Sequence, residues 1–530
     1  MEERRKIFVG AFWVGFGTFF SRVFGLVREI GMAALFGTGV AADAFAVALR
    51  FPNLLRTIVG EGAFSAAFLP KFTEVMHRRG EKEGYSVASA VFTVVLFGVA
   101  VLCLLGIIFA PQVIDFIVIG WENDVARKEL AVKLVRILFL MVGFIGLASF
   151  AQAMLNFRRR FFVSSLAPAV WNLTWAIGIF VAAGLFTVQS TQAKVVAAFV
   201  VLGAFFQFLW QLPWVRKGGW RYSFSIREHK RELLEMGKLL LPSLLALAAS
   251  EFYYLADVIL ASYLPGGSVS SIYYARRIIY LPLGLIGFSI ATASLPRLSE
   301  TAAREDYREL GETLSTAVRT SYSLLLPITV MTIFLRTEII SLLFERGSFT
   351  AAESTPMVAW ALLFYMGGMP FMALQKTLTQ GFYALKDTLT PVLIVAVGIV
   401  INIELSAIFM LNLAQGGLAL GSALASFLNA AILFYYLSKK LPEFGPGAIW
   451  LNFLKITTAG LLAGFVTGEF NGLVGPHLDV GVTFLTKLVR FAVPAVFYAG
   501  IFALLAELLR IREVKYAWSQ LFRRLGKKLR

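Results

Sequence analysis

The stretch that decides the fold runs from Ser21 to Glu74 and reads SRVFGLVREIGMAALFGTGVAADAFAVALRFPNLLRTIVGEGAFSAAFLPKFTE. Its length and apolar content predict two long helices joined near Thr38 and Gly39. Ionisable side chains nevertheless lie inside these helices, among them Arg22, Arg28, Asp43, Arg50, Arg56 and Glu61. A charge at the centre of a membrane helix costs about 2.5–3.5 kcal/mol on insertion scales, so several arginines there need an anion or water beside them. The stretch therefore predicts a polar binding site inside a membrane protein.

The composition supports the same class. Of the 530 residues, 58% are hydrophobic and only 15% are charged, and the mean hydropathy is +0.75. Soluble domains are nearer half apolar and a quarter charged, so an ordinary soluble protein is excluded. The single cysteine, Cys103, has no partner for a disulfide, and the three histidines are too scattered to form a metal site.

Fourteen apolar stretches are each long enough to cross a bilayer. They lie near residues 8–36, 40–68, 86–110, 131–155, 162–186, 194–214, 238–263, 270–296, 313–335, 355–382, 389–412, 416–438, 448–468 and 484–508. This pattern predicts an all-α polytopic membrane protein with 14 transmembrane helices.

The distribution of basic residues predicts the orientation. Lysine and arginine gather in the two terminal segments and after every second span, while the opposite loops hold only five of them. By the positive-inside rule, both termini are cytoplasmic. The formal net charge of +17 is then explained as orienting charge beside an anionic leaflet, so no nucleic-acid partner is expected.

An internal repeat divides the chain. The segment AFLPKFTE (67–74) returns as ASLPRLSE (293–300), 226 positions later. Two halves that both start inside form a parallel repeat, and such halves enclose a cavity. The predicted organisation is an N-terminal six-helix half (1–214), a cytoplasmic amphipathic linker helix (215–237), a C-terminal six-helix half (238–440), two extra helices (441–508) and a basic cytoplasmic tail (509–530). The linker is interpreted either as a tether or as a regulatory element.

Four consecutive motifs carry a family resemblance: SRVFGLVRE (21–29), ADAF (42–45), PNLLR (52–56) and EGAFSAAFLP (61–70). They resemble the signature of the MurJ (MviN) family of lipid II flippases, of the MOP flippase/exporter superfamily, and the likeness continues through YYARR (273–277). The resemblance implies a transporter of the bacterial cytoplasmic (inner) membrane that acts in peptidoglycan biosynthesis. It would carry lipid II, the undecaprenyl-pyrophosphate-linked precursor, from the inner to the outer leaflet by alternating access.

The arginines are the predicted substrate site. A guanidinium is always charged and offers a planar fork of donors that suits a phosphate, so the expected ligand is a pyrophosphate. The resemblance assigns this role to Arg22, Arg28, Arg56 and Arg277. For each arginine the alternatives are a side chain that reaches the interface and an internal ion pair with Asp43 or Glu61.

Three further residues complete the predicted substrate site: Asp43, Asn53 and Glu61. Asn53 is expected to hydrogen-bond the headgroup, or instead to satisfy backbone groups freed by the kink at Pro52. The sequence departs from many relatives at Arg276 and Tyr280, where those relatives carry acids. The cavity is therefore expected to be more positive than theirs.

A second group of polar residues predicts a cation site. Its members are Asp257, Asn402, Ser406 and Ser422. Hard oxygen ligands inside apolar helices suit Na⁺ or a proton relay, and interhelical hydrogen bonding is the alternative. The resemblance also implies that the two extra helices form a groove for a lipid tail, whereas composition leaves peripheral packing equally open.

Motifs of catalysis are absent from the sequence. It contains no phosphate-binding glycine loop, no HExxH and no nucleophile elbow, so neither an enzyme nor a cofactor is expected. Membrane potential, or a Na⁺ or proton gradient, remains as the energy source. The alternatives are a flippase for another undecaprenyl-linked oligosaccharide, a MATE-like ion-coupled exporter and a scaffold for cell-wall synthesis enzymes. Expected partners are lipid II, membrane lipids and those enzymes.

Overall fold

The computed structural model describes residues 2–60, 63–478, 483–511 and 513–514. Side chains are described throughout these ranges except at residues 2–12, 58–60, 63, 66, 241–253 and 442. The secondary structure of the described residues is helical, as the apolar periodicity predicts. Glu61, one of the predicted site residues, lies outside the described residues.

The chain packs into two compact units, Met1–Val269 with Arg346–Phe349, and Ser270–Glu345 with Thr350–Arg530. The helices that begin in the first unit are α1 (Glu2–Phe36), α2 (Val40–Gly60), α3 (Ala63–Arg79), α4 (Glu81–Ile108), α5 (Ala110–Ile117), α6 (Val125–Phe157), α7 (Phe161–Leu185), α8 (Gln189–Lys217), α9 (Lys230–Ala261) and α10 (Ser268–Pro282). Those that follow are α11 (Phe288–Ala303), α12 (Tyr307–Phe334), α13 (Arg336–Phe344), α14 (Ser354–Ala384), α15 (Leu389–Leu413), α16 (Gln415–Lys440), α17 (Pro446–Val474) and α18 (Phe484–Leu508). A π-helical turn over Leu283–Gly287 joins α10 to α11.

Eleven helical stretches of the described residues are long and apolar enough to cross a membrane, which makes this a multi-pass membrane protein. α1, α2 with α3, and α9 are not among the eleven, and each contains or adjoins residues whose side chains lie outside the described part of the chain. The count of fourteen spans therefore stays a prediction.

One element differs from the sequence prediction. The linker is not one amphipathic helix. α8 ends at Lys217, Gly219 takes a φ of 96°, and regular helix resumes only at Lys230. A glycine with positive φ stops a helix, which explains the interruption.

The division into units also falls at a different place from the repeat. α9 packs with the first unit, whereas the repeat assigns it to the second half. The repeat expresses likeness of sequence and the units express packing, so the repeat halves stay a prediction.

The first unit is held together by aromatic packing. α1 packs on α7, and α7 packs on α8, while α2 and α4 pack on α6. Phe68, Phe72 and Phe150 are buried, and the Phe68 and Phe72 rings stack at 4.9 Å. Each such side chain removes a large apolar area from solvent and fixes the position of its helix. The resulting bundle aligns α1, α2 and α7, the helices that carry the candidate site.

The second unit has its own core. α14 and α15 pack on α16, and α12 packs on α14 and α17. Leu314, Phe382 and Leu437 are completely buried in it. Tyr322 of α12 donates a hydrogen bond of 2.7 Å to the carbonyl of Ile449 on α17. The C-terminal helices are therefore part of this core.

Candidate anion-binding site

Arg28 is buried at the contact between α1 and α7. Arg28 is only 8% exposed. Nη1 donates a hydrogen bond of 2.8 Å to Oδ1 of Asn172, and Nη2 is paired with the Glu29 carboxylate. The guanidinium carbon lies 4.2 Å from the centre of the Trp175 ring, a cation–π distance. These contacts fix Arg28 in one orientation.

Asn172 connects this arginine to the preceding turns of α1. Its Nδ2 donates to the carbonyl oxygen of Ser21 at 3.1 Å and lies 3.2 Å from the Ser21 hydroxyl. The same amide thus accepts from Arg28 and donates to Ser21. α7 therefore sets the rotation of α1 at the level of both residues.

Arg56 of α2 approaches the same aromatic side chain as Arg28. The Arg56 guanidinium lies 5.6 Å from the centre of the Trp171 ring, and that of Arg28 lies 5.9 Å from it. Nε of Arg56 donates to Oδ1 of Asn53 at 2.8 Å. Asn53 thus holds Arg56 in this structure. One indole ring brings together two cations from different helices.

Trp171 is also held by α8, the next helix along the chain. Its Nε1 donates to the carbonyl of Val200 on α8 at 3.1 Å. A Cβ atom on Gly203 would lie 2.8 Å from Trp171 Cδ1 and 2.9 Å from its carbonyl oxygen. A side chain at position 203 would therefore displace the ring, so the glycine permits the close approach of α7 and α8.

Arg22 is a further cation on α1, about 120° around the helix from Arg28. It is exposed and makes no hydrogen bond or ion pair with any residue in the described part of the chain. Its position six residues before Arg28 places it about 9 Å along the helix. Its donors are therefore available to a ligand.

Asp43 takes part in a separate buried ion pair. Its Oδ2 lies 2.8 Å from Arg127 Nη2 and accepts a second bond of 2.8 Å from the Gly267 amide. Asp43 is completely buried, Arg127 is 4% exposed, and the Arg127 guanidinium lies 4.4 Å from the Trp121 ring. The partner is an arginine from α6 that the sequence places in an outward loop. A contact between Asp43 and a ligand stays a prediction.

Arg277 belongs to the second unit, and its surroundings are aromatic too. Its Nη2 donates to the Tyr273 hydroxyl at 3.0 Å, and its guanidinium lies 4.7 Å from the Tyr273 ring. The neighbouring Arg276 lies 5.4 Å from the Tyr365 ring. Both positions of YYARR that carry charge are thus oriented by tyrosines.

Three of the four predicted cation ligands meet in the second unit. Asn402 Nδ2 donates to Ser422 Oγ at 3.1 Å, and Ser406 Oγ donates to Asn402 Oδ1 at 3.3 Å. All three residues are buried. Their mutual bonds are the interhelical network named as the alternative. Asp257 is buried in the first unit, and its part in a cation site stays a prediction.

Sequence reasoning missed the residues that orient the arginines. Trp171, Asn172 and Trp175 follow Pro168 in a span otherwise read as apolar. Two tryptophans four residues apart share a helix face, and an asparagine between them is costly in a membrane unless it is bonded. That pattern is a signal for a polar site. Arg127 had no comparable signal, since it sits among other charges at the start of α6.

Comparison with known proteins places these features in a family. A family model described as Lipid II flippase MurJ matches residues 32–489. The chain is similar to the Lipid II flippase MurJ of Burkholderia cenocepacia, at 33% identity over 528 residues that cover 96% of this chain and 98% of the relative. It is also similar to the probable lipid II flippase MurJ of Vibrio cholerae, at 33% identity over 80% of this chain and 83% of the relative.

Solved structures give the same assignment. A structure described as lipid II flippase MurJ in an inward closed conformation superposes with a TM-score of 0.75 at 27% identity, over 94% of this chain and 99% of that one. An inward-facing MATE family transporter of the MOP superfamily superposes with a TM-score of 0.68 over 80% of this chain and 96% of that one. Its identity of 15% shows a shared fold alone. Since the family model and relatives at one-third identity span most of the sequence, the chain belongs to the MurJ family of lipid II flippases.

Proposed function

We propose that this protein carries lipid II from the inner to the outer leaflet of the bacterial cytoplasmic membrane by alternating access. The observation that carries the proposal is the convergence of Arg28 and Arg56 on Trp171 inside an apolar helical unit. The names of the relatives supply the substrate, and the paired guanidinium groups supply the chemistry that this substrate needs.

The proposed ligand group is the pyrophosphate. Two arginines held about one ring offer planar donor forks to adjacent phosphates, and charge-assisted bonds of this kind are stronger than neutral ones. Arg22, whose donors are available, would supply a third cation on the same helix as Arg28. The family resemblance adds Arg277 to the proposed set, and Glu61 is included on the sequence alone.

The proposed topology has fourteen spans with both termini in the cytoplasm. The eleven apolar helices and the alternation of basic loops support it. α17 and α18 are proposed to hold the lipid tail. Leu461, Phe465 and Val466 of α17 and Val496 of α18 are exposed apolar residues, which suits contact with acyl or prenyl chains.

Transport is proposed to be coupled to the membrane potential or to an ion gradient, without catalysis by the protein. One elementary charge moved across 100 mV is worth about 2.3 kcal/mol. Asp257, Asn402, Ser406 and Ser422 are the proposed Na⁺ ligands. Membrane lipids and cell-wall synthesis enzymes are proposed as further partners on sequence grounds.

The test is a lipid II accessibility assay in cells depleted of their own flippase. We expect the protein to make lipid II accessible from the outside, and Arg28→Ala to abolish this while leaving membrane insertion normal. If lipid II stays inaccessible while another undecaprenyl-linked oligosaccharide moves, the substrate is that lipid. If Arg28→Ala transports normally, the anion site is not where we place it.

A further inference from the structure

A second basic site lies in the first unit, away from the arginines of α1 and α2. It is a cavity of about 700 Å³ formed by α4, α8 and the segment that follows α8. Such a volume falls in the range of small-molecule sites. α4 and α8 both pack on α6, and the cavity lies between α4 and α8.

The inner wall of the cavity is a rigid aromatic cluster. Trp220 is buried, its ring lies 5.4 Å from Phe92 and 5.4 Å from Phe150, and its Nε1 donates to Ser89 at 3.1 Å. Tyr222 lies 5.7 Å from the Phe92 ring, and its hydroxyl lies 3.1 Å from Thr93. The rings are thus fixed from α4 and α6.

The mouth of the cavity is cationic. Arg216, Lys217 and Arg221 line it, and no carboxylate does. These three side chains are exposed and form no ion pair with a described residue. The neighbouring basic residue Arg231, in contrast, is paired with Glu235 at 3.0 Å. The cavity therefore offers uncompensated positive charge.

The cavity also changes character along α8. Phe208 and Leu212 line its apolar end and Arg216 and Lys217 its basic end. Nine residues of helix separate Phe208 from Lys217, a rise of about 13–14 Å. The headgroup region extends about 5–7 Å beyond the hydrocarbon core, so this rise reaches from a phosphate to about the middle of an acyl chain. A surface that is apolar at one end and cationic at the other fits a molecule built the same way.

We propose that this cavity is a binding site for one anionic glycerophospholipid of the cytoplasmic leaflet, with its phosphate at Arg216, Lys217 and Arg221 and an acyl chain against Phe208 and Leu212. The proposal goes beyond lipid II transport and uses only the proposed orientation, in which this end of α8 faces the cytoplasm. Anionic lipid is abundant in that leaflet and attracts basic residues near it.

The test measures lipid retained by the purified full-length protein, by native mass spectrometry with phosphatidylglycerol or phosphatidylcholine added to the detergent. We expect a preference for phosphatidylglycerol that is lost in the triple variant Arg216→Gln, Lys217→Gln, Arg221→Gln, with affinity falling between about tenfold and a hundredfold. Leu212→Trp, which fills the cavity without changing charge, should also reduce retention.

The matched control removes three exposed charges elsewhere on the same surface, with Arg160→Gln, Arg227→Gln and Lys230→Gln. It should keep the preference. An equal loss in this control, or equal retention of both lipids by the wild type, would overturn the site in favour of diffuse attraction. Retention of an undecaprenyl lipid in place of the phospholipid would overturn the assigned ligand. The accessibility assay for lipid II is read separately, so the two proposals fail independently.

Discussion

Arg28 and Asn172, 144 positions apart in the chain, meet through a 2.8 Å hydrogen bond from Nη1 to Oδ1. Because the same asparagine also donates to Ser21, α7 fixes both ends of the basic segment of α1. The site is therefore organised by a helix that contributes no charge to it.

Asn172→Leu should weaken binding of a pyrophosphate headgroup without removing any charge. Loss of one charge-assisted bond inside the protein is worth about 1.5–3 kcal/mol, or roughly ten- to a hundredfold in affinity. Isothermal titration with a soluble headgroup analogue would measure it. Asn471→Leu, which removes a 2.7 Å bond to Glu338 in the second unit, is the control for loss of a partly buried asparagine. Equal affinity of the two variants would contradict the role of Asn172.

Lysine should not replace arginine at Arg28, Arg56 or Arg277. Lysine keeps the charge but loses the bidentate fork, so each substitution should reduce headgroup affinity by about tenfold or more. Arg78→Lys is the control, since the Arg78 side chain is 78% exposed and its ion pair among the described residues is with Glu74 on its own helix. Arg79 is a poor control, because it contacts Glu232 at 2.7 Å. If Arg28, Arg56 and Arg277 all accept lysine, these arginines act through diffuse positive potential.

Arg127→Met should destabilise the first unit by about 3–5 kcal/mol, because it leaves the Asp43 carboxylate buried without its cation. Thermal unfolding in detergent would report the loss as a lower Tm. The double variant Asp43→Asn with Arg127→Met should recover part of it. A single variant as stable as the wild type would show that other contacts neutralise Asp43.

Asp257→Asn should slow lipid transport while leaving headgroup affinity nearly unchanged, if Asp257 binds the coupling cation. Ser422→Ala, which removes a neutral ligand, should have a smaller effect in the same direction. Transport in proteoliposomes with and without a Na⁺ gradient separates the steps. Transport that ignores both sodium and Asp257→Asn would remove the cation site.

The attachment of α9 to α3 should weaken in acid. Lys71 lies 2.6 Å from Glu235, and its hydrogen bond lowers the pKa of the Glu235 carboxyl and raises that of the Lys71 ammonium. A carboxyl with a lowered folded-state pKa stabilises fully above its unfolded pKa of about 4.3, and that contribution is lost as the pH falls through the folded-state value. The Lys71 ammonium, whose folded-state pKa is raised, contributes stability that is lost only on the alkaline side, above about pH 10.4.

Hydrogen exchange over residues 230–237, corrected for intrinsic rates, should therefore be constant near neutral pH and rise below about pH 4. In Glu235→Gln the exchange should be faster at neutral pH and lack this acid step. An acid step that persists in the variant would assign it to another carboxyl, such as Glu232.

The sequence predicted the helical membrane class and the arginines of α1 and α2 because hydropathy and charge are local properties. It did not predict that Asn172 would hold Arg28, since the tryptophans and asparagine of α7 indicate a polar site but not which residue 144 positions away they contact. Asp43 illustrates the same limit: the sequence predicts a substrate contact, with an ion pair to one of the site arginines as the alternative, and the partner in the structure is Arg127, which the sequence does not single out. The charge pattern of the linker predicts a helix, but the helix is interrupted where Gly219 takes a positive φ.

The close approach of Gly203 to Trp171 has a consequence for how this site varies among relatives. A methyl group at position 203 would press on a ring that both Arg28 and Arg56 share, so one small change on α8 would disturb two cations on two other helices at once. Since a Cβ atom at 203 would also lie 2.9 Å from the Trp171 carbonyl oxygen, a smaller side chain at 171 would not make room for it, and glycine should be retained at 203 wherever α7 and α8 approach this closely. The selective constraint on a glycine that never touches the ligand would then match that on the arginines themselves.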